Sequence, residues 1–130
     1  MSTTTDHETT QTTEGTNLVV LHGHVRGVPV PRPLPGGAVA VQFDVGTVAV
    51  VDGAERRCSV PVNWVDPPTA DAEMLTDGLG VLVVGTVQRR FFRVGGQTQS
   101  RTEVVPSRVI PSRRRASVRR ALADAAAGLI

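Results

Sequence analysis

The sequence contains no lysine and no tyrosine, a single cysteine, and aromatic rings at only 3% of its 130 residues. One cysteine, Cys58, excludes an internal disulfide framework and a thiolate-rich metal site. No run of about eighteen apolar residues occurs, which excludes a membrane-spanning helix. The first residues lack the apolar centre of a signal peptide, so a soluble, cytoplasmic protein is expected. With so few rings, any binding that relies on stacking must be thin. The length allows one domain built around one core.

What is present is unevenly placed. Residues 1–16 hold eight Thr, three acids and no apolar residue after Met1. Such a segment cannot bury enough surface to offset the entropy of ordering, and is read as a disordered acidic tail. All fourteen basic residues are Arg, and ten of them fall within residues 86–120 beside one acid, Glu103. GC-rich coding accounts for a preference for Arg over Lys, but not for clustering. A basic block of this size points to a polyanionic partner, against the plainer reading of a solvated tail.

Between residues 17 and 111 the pattern is β-rich. The first run is Asn17 to Val25, followed by RGVPVPRPLPGG, which is read as a surface loop too dense in proline for a regular ladder. Ala38 to Val51 follows, with Val39, Val41, Phe43 and Val45 on one face, and Asp52-Gly53 signals a hairpin into Arg56 to Trp64. Pro67-Pro68 breaks that strand, and Thr69 can cap a short helix, residues 70–76, ending at Asp77-Gly78. The fourth run is Gly80 to Val94, closed by Gly95-Gly96, and the fifth is Gln99 to Ile110, with Pro106 demanding a bulge or an edge. The order β-β-β-α-β-β in so few residues is that of an OB-fold, an all-β, five-stranded Greek-key barrel with one short helix between strands three and four. Residues 112–130 form an Arg-rich tail. Val118, Leu122, Ala125 and Leu129 recur at helical spacing there, so the segment is either a partner-dependent helix or a frayed tail.

In this order the segments NLVVLHG (17–23), PRPLPGGAVAVQFDVGT (31–47), MLTDGLGVLVVGTVQRRFF (74–92) and TEVV (102–105) resemble the bacterial single-stranded DNA-binding protein family. The resemblance implies a homotetramer, or a dimer, of OB barrels paired partly through the first strand. It also implies sequence-independent binding of single-stranded DNA in replication, recombination or repair; no cofactor is expected, and the residues offer no constellation of nucleophile, base or metal for catalysis. Transferred by position, stacking rings fall on Trp64 and Phe92, and a basic contact falls on Arg32. Several features depart from the family. The hairpin TVAVVDGAERR is short and carries no ring, although Arg56 and Arg57 remain, and Cys58 stands where a second aromatic is found in relatives. The sequence ends ALADAAAGLI, without the family's acidic tip, which leaves open whether repair or replication enzymes are recruited by that route.

The residues themselves support this reading most on the fourth run. Alternation places Val81, Val83, Gly85 and Val87 on one face and Thr86, Gln88, Arg90 and Phe92 on the other. Polar groups and a guanidinium ending in a flat ring suit phosphates followed by a stacked base, with Arg89, Arg90 and Arg93 close to the rings. Trp64 shares a face with Val60 and Val62, which argues for burial, yet the opposite face (Ser59, Pro61, Asn63) is poor core material; a bulge near Pro61 would resolve the conflict. His22 and His24 lie at i and i+2, but with no carboxylate or thiol nearby a metal site from them is incomplete. Beside Gly23 they fit a close barrel corner or a phosphate contact. Gly36-Gly37 and Gly95-Gly96 lack the Lys and helix of a nucleotide-binding loop and read as turns. Two further readings stay open: an accessory, primosome-type OB-fold protein that bridges other proteins and touches nucleic acid weakly, and an RNA binder, since stacking and phosphate contacts do not distinguish the sugar.

Overall fold

A computed structural model describes residues 15–129, so the acidic tail expected over residues 1–16 falls almost wholly outside the described residues. Five strands close into a barrel in the order β1-β2-β3-β5-β4. They are β1 (Val19–Pro33), β2 (Val39–Val51), β3 (Ala54–Val65), β4 (Gly80–Val94) and β5 (Gln97–Pro111). The helix α1 (Thr69–Glu73) lies between β3 and β4, and α2 (Arg115–Ala127) follows β5. Neighbouring strands are antiparallel except β3 and β5, which meet in parallel at Val62 and Val104. This is the OB-fold expected from the element order.

The turns follow local chemistry. Asp52 and Gly53 both take positive φ, 51° and 78°, and join Val51 directly to Ala54 as the two-residue hairpin requires. Gly95 and Gly96 do the same between Val94 and Gln97. Near Pro106 the β4–β5 register shifts: Val84 faces Arg108, Gly85 faces Pro106, and Ser107 is left as the extra residue of a bulge. The helix α1 begins after Pro68 without a side-chain cap, so Thr69 does not serve as the cap its position suggested.

The proline-rich segment is where the structure overturns the expectation. It is not a loop: β1 continues through Pro33, pairing Val30 with Gln42, Arg32 with Ala40 and Pro33 with Val39 after an irregularity between Arg26 and Val30. Pro29, Pro31 and Pro33 alternate, so their missing N–H groups all fall on one edge of the strand. The intervening residues keep their donors; Leu34 N–H, in phase with them, donates to Ala38 O at 2.8 Å. Proline on an edge with this spacing leaves the ladder to β2 intact.

The core is made mostly of valine. Val25, Val45, Val62, Val81 and Val83 are its most deeply buried side chains. Leu75, just beyond α1, joins them. Strand β4 is apolar on both faces at this end. Leu82 and Val84 point outward and meet Ile110 and Ala121 in a second cluster, onto which Val118 and Ala125 of α2 also pack. The carboxy-terminal helix is therefore docked on the barrel. Each buried valine contributes about 1.5–3 kcal/mol over its exposed state.

Candidate nucleic-acid interface

Beyond Gly85 and Val104 the β4–β5 hairpin leaves the barrel as an arm, with no buried residue from Thr86 to Thr102. Register sets its two faces. Arg90 stands opposite Arg101, Phe92 opposite Gln99 and Gln88 opposite Glu103, while Arg89, Phe91 and Arg93 oppose Thr102, Ser100 and Thr98. Paired residues of an antiparallel ladder share a face. The even-numbered face of β4 therefore carries Thr86, Gln88, Arg90 and Phe92, as alternation requires. Arg89 and Arg93 do not belong with Phe92; they stand on the other face, beside Phe91.

The even face joins a polar belt on the outside of the barrel. Val62 and Val104 fill the core, so Asn63 on β3 and Glu103 on β5 both face the outer side, two residues out of step because these strands run parallel. Gln42 is paired with Asn63 on β2. Glu103 is only 3% exposed, and its carboxylate accepts from Arg90 Nε at 3.1 Å and Nη2 at 3.4 Å. Arg101 Nε stands 3.7 Å from the same carboxylate. Only donors face one side of the Gln42 amide, so its oxygen belongs there, where it accepts from Arg32 Nε and Arg90 Nη2, each at 3.2 Å. Arg90 also lies over the Phe92 ring, 5.1 Å from its centroid. Arg90 and Arg101 thus share one carboxylate while Arg32 meets the amide, and the three guanidiniums leave a surplus of two positive charges beside a ring that remains partly exposed. A charge-assisted network of this kind fixes guanidinium positions that would otherwise be spread over many rotamers.

The belt extends along the outer face of β1 and β2. Arg26, Gln42, Asp44 and Arg101 line one groove. Arg26 also borders a second groove, with His22, His24, Gly46 and Arg57. Gly46 makes the second groove possible: a Cβ there would stand 2.6 Å from Arg26 Cδ and 2.9 Å from His24 Cε1. With no side chain at Gly46, the two cross β2 against bare backbone. A Cβ on Gly23 would collide with the carbonyl oxygen of Gly46, so the histidines do sit at a close barrel corner. His22 Nε2 lies 3.2 Å from Ser112 Oγ.

The candidates read from sequence therefore separate. Arg32, Arg90 and Phe92 come together at the belt, with Thr86 and Gln88 on the same face, joined by a Gln88 Nε2 to Thr86 Oγ1 bond of 3.1 Å. Arg57 lies on the second groove, while Arg56 is exposed beside it on β3. Arg89 is exposed, and Arg93 Nη2 donates to Gly96 O at 2.8 Å across the hairpin turn.

Trp64 is a correction. It is 7% exposed and belongs to the core, so it has no free face for a base. The β2–β3 register runs without a break from Ala40–Val65 to Val51–Ala54, so there is no bulge at Pro61 to turn it outward. Asn63, poor core material by type, is instead buried beneath the polar belt.

Sequence reading missed Arg26, Gln42, Arg101 and the role of Glu103. It also missed Phe91, 65% exposed on the far face of the arm. Asn17, which opens the first strand, extends the ladder with its side chain: Nδ2 donates to Val87 O at 2.8 Å, and Oδ1 accepts from Val87 N–H at 2.9 Å.

No family model matches the chain, and no curated protein matches it. Among solved structures, the chain is similar to the Plasmodium falciparum SSB in its complex with ssDNA. The TM-score is 0.62 at 21% identity, over 75% of this chain and 95% of that one. Together with the strand order, this likeness establishes the architecture of the chain as an OB-fold barrel.

Proposed function

We propose that this protein binds single-stranded DNA without regard to sequence, in replication, recombination or repair, and that it does so without catalysis. The observation that carries the reading is the gathering of Arg32, Arg90 and Arg101 around one buried carboxylate and one amide, beside the Phe92 ring. An OB barrel offers this outer face to oligonucleotides, and the similar Plasmodium protein was solved with ssDNA. In the proposed complex, phosphates lie on the guanidiniums and a base stacks on Phe92, an interaction of about 1–3 kcal/mol that does not depend on which base it is. Arg26, Arg57 and the two histidines extend the path along β1 and β3.

The burial of Trp64 favours a second reading, an accessory protein that binds nucleic acid weakly, because it leaves Phe92 as the only ring on the belt among the described residues. Anisotropy of labelled oligo-dT, oligo-rU and duplex at two salt concentrations separates the two. The first reading expects tight binding to oligo-dT, no preference for duplex, and log K falling with log salt by about 0.7 per phosphate neutralised. Arg90→Ala and Phe92→Ala should each weaken oligo-dT binding by about 10- to 100-fold. Weak binding to all three ligands supports the accessory reading, and oligo-rU bound more tightly than oligo-dT points to RNA.

A further inference from the structure

The function proposed above leaves unused the densest run of charge in the chain. Arg113, Arg114, Arg115, Arg119 and Arg120 are all exposed at the start of α2, and none of them pairs with a carboxylate among the described residues. The one acid on this helix, Asp124, is already held by Arg108 Nη1 at 3.1 Å. Nothing in the helix offsets the repulsion. Arg115 and Arg119 stand at i and i+4, where like charges oppose helix formation. No acidic residue occupies the first turn, and no side chain caps it. These cations weaken the helix that displays them, and an anionic ligand reverses that effect.

The placement of α2 indicates the ligand. The helix packs through Val118, Ala121 and Ala125 onto Leu82, Val84 and Ile110. Leu82 and Val84 belong to the same even-numbered face of β4 that continues through Thr86 and Gln88 to Arg90 and Phe92. From Leu82 to Arg90 is eight residues of strand, about 26 Å. A flexible strand seated on the belt and leaving along β4 toward the barrel body therefore runs toward the α2 arginines.

We propose that α2 is a second phosphate-binding surface, which engages the backbone of a single strand that extends past the belt. This rests on the function proposed above for its direction of approach, but not for its chemistry. Short strands fill the belt alone; longer strands also neutralise arginines on α2.

The test uses the full chain and a triple variant, Arg115→Gln with Arg119→Gln and Arg120→Gln. It leaves Arg108 and Arg114 in place, the latter because its Nη2 touches Met74 Sδ at 3.1 Å. Two oligo-dT probes are titrated across a salt series, one of about 8 nucleotides, within the span of a single OB barrel, and one of about 40. For the long probe, the triple variant should lower the salt slope by about 2, roughly 0.7 for each phosphate left unneutralised, and should not alter the slope for the short probe. The corresponding triple Lys variant, which keeps the charge, should restore the slope, and an unchanged circular dichroism spectrum shows the helix is intact. A long-probe slope equal to that of the unaltered protein overturns the proposal while the belt reading stands. Equal reductions on both probes also overturn it, because the two surfaces would not be separate. If the short probe fails to bind but the long probe still depends on the three arginines, the belt reading fails and the α2 surface stands.

Discussion

One hairpin, β4–β5, is two different materials along its length. From Gly80 to Gly85, together with Val104 to Pro111, it is packed on both faces, by the barrel core on one side and α2 on the other. From Thr86 to Thr102 it has no buried residue and carries Arg89, Arg90, Arg93 and Arg101. On β4 the packed stretch ends beside a bulge, where Ser107 of β5 is the extra residue opposite Val84 and Gly85. Bulges bend strands and raise their twist, and here the irregularity stands where the packed half gives way to the free half. Under the proposed function, stability and ligand binding are drawn from separate stretches of the same ladder, and Glu103 is the residue belonging to both.

This division is most exposed to attack at Gly85. A Cβ there would collide with the carbonyl oxygen of Val105 and come within 2.6 Å of Pro106 Cα, so the backbone must move. Gly85→Ala is expected to lower unfolding free energy by about 3 kcal/mol in denaturant titration. Val83→Ala, in the packed half, should lower it by about 2 kcal/mol while leaving oligo-dT affinity unchanged at temperatures where the protein stays folded. A large fall in affinity from Val83→Ala would show that the two halves are not separable.

Glu103→Gln probes the boundary itself. Arg90 and Arg101 are 28% and 42% exposed at their side chains, so solvent screens the pairs and the stability loss should be about 1–2 kcal/mol. Affinity for oligo-dT should fall a few-fold even though the site becomes more positive, because the guanidiniums lose their anchor. A rise in affinity would mean that the amount of charge matters more than its placement. The smallest effect is optical. Trp64 is enclosed in the core, so its emission should change little when oligo-dT saturates the protein, and a strong quench would place a base against it.

Most of the barrel could be read in advance, because its turns are punctuated by residues with a single backbone purpose. Asp52-Gly53 fixed the β2–β3 register, and Gly95-Gly96 fixed β4–β5; the latter already implied Arg90 opposite Arg101 and Gln88 opposite Glu103. The belt went unseen because it also depends on β1, whose course through Pro29, Pro31 and Pro33 resembles a loop unless their common parity is noticed. Arg32 could be placed only by family resemblance, and its bond to Gln42 depends on the register beyond the irregularity after Arg26. The docked α2 had a visible signal in the unbroken VLVV of residues 81–84, apolar on both faces, which requires a cover on the outer side. Trp64 followed its neighbours Val60 and Val62 inward. The alternation rule was right there, and the composition of the opposite face was misleading, since Asn63 is buried on the outer face although its Oδ1 has no hydrogen-bond partner.

If the belt is the binding surface, a DNA strand lies on that face of the arm and not on the opposite one. Phe91 and Phe92 are the same residue on adjacent positions and opposite faces, and Phe91 is the more exposed. The direct measurement is the oligo-dT dissociation constant of Phe92→Ala beside that of Phe91→Ala, at one salt concentration. Binding on the belt predicts a weakening of about 10- to 100-fold for Phe92→Ala and less than about 2-fold for Phe91→Ala. Equal effects, or a larger one at Phe91, would contradict it.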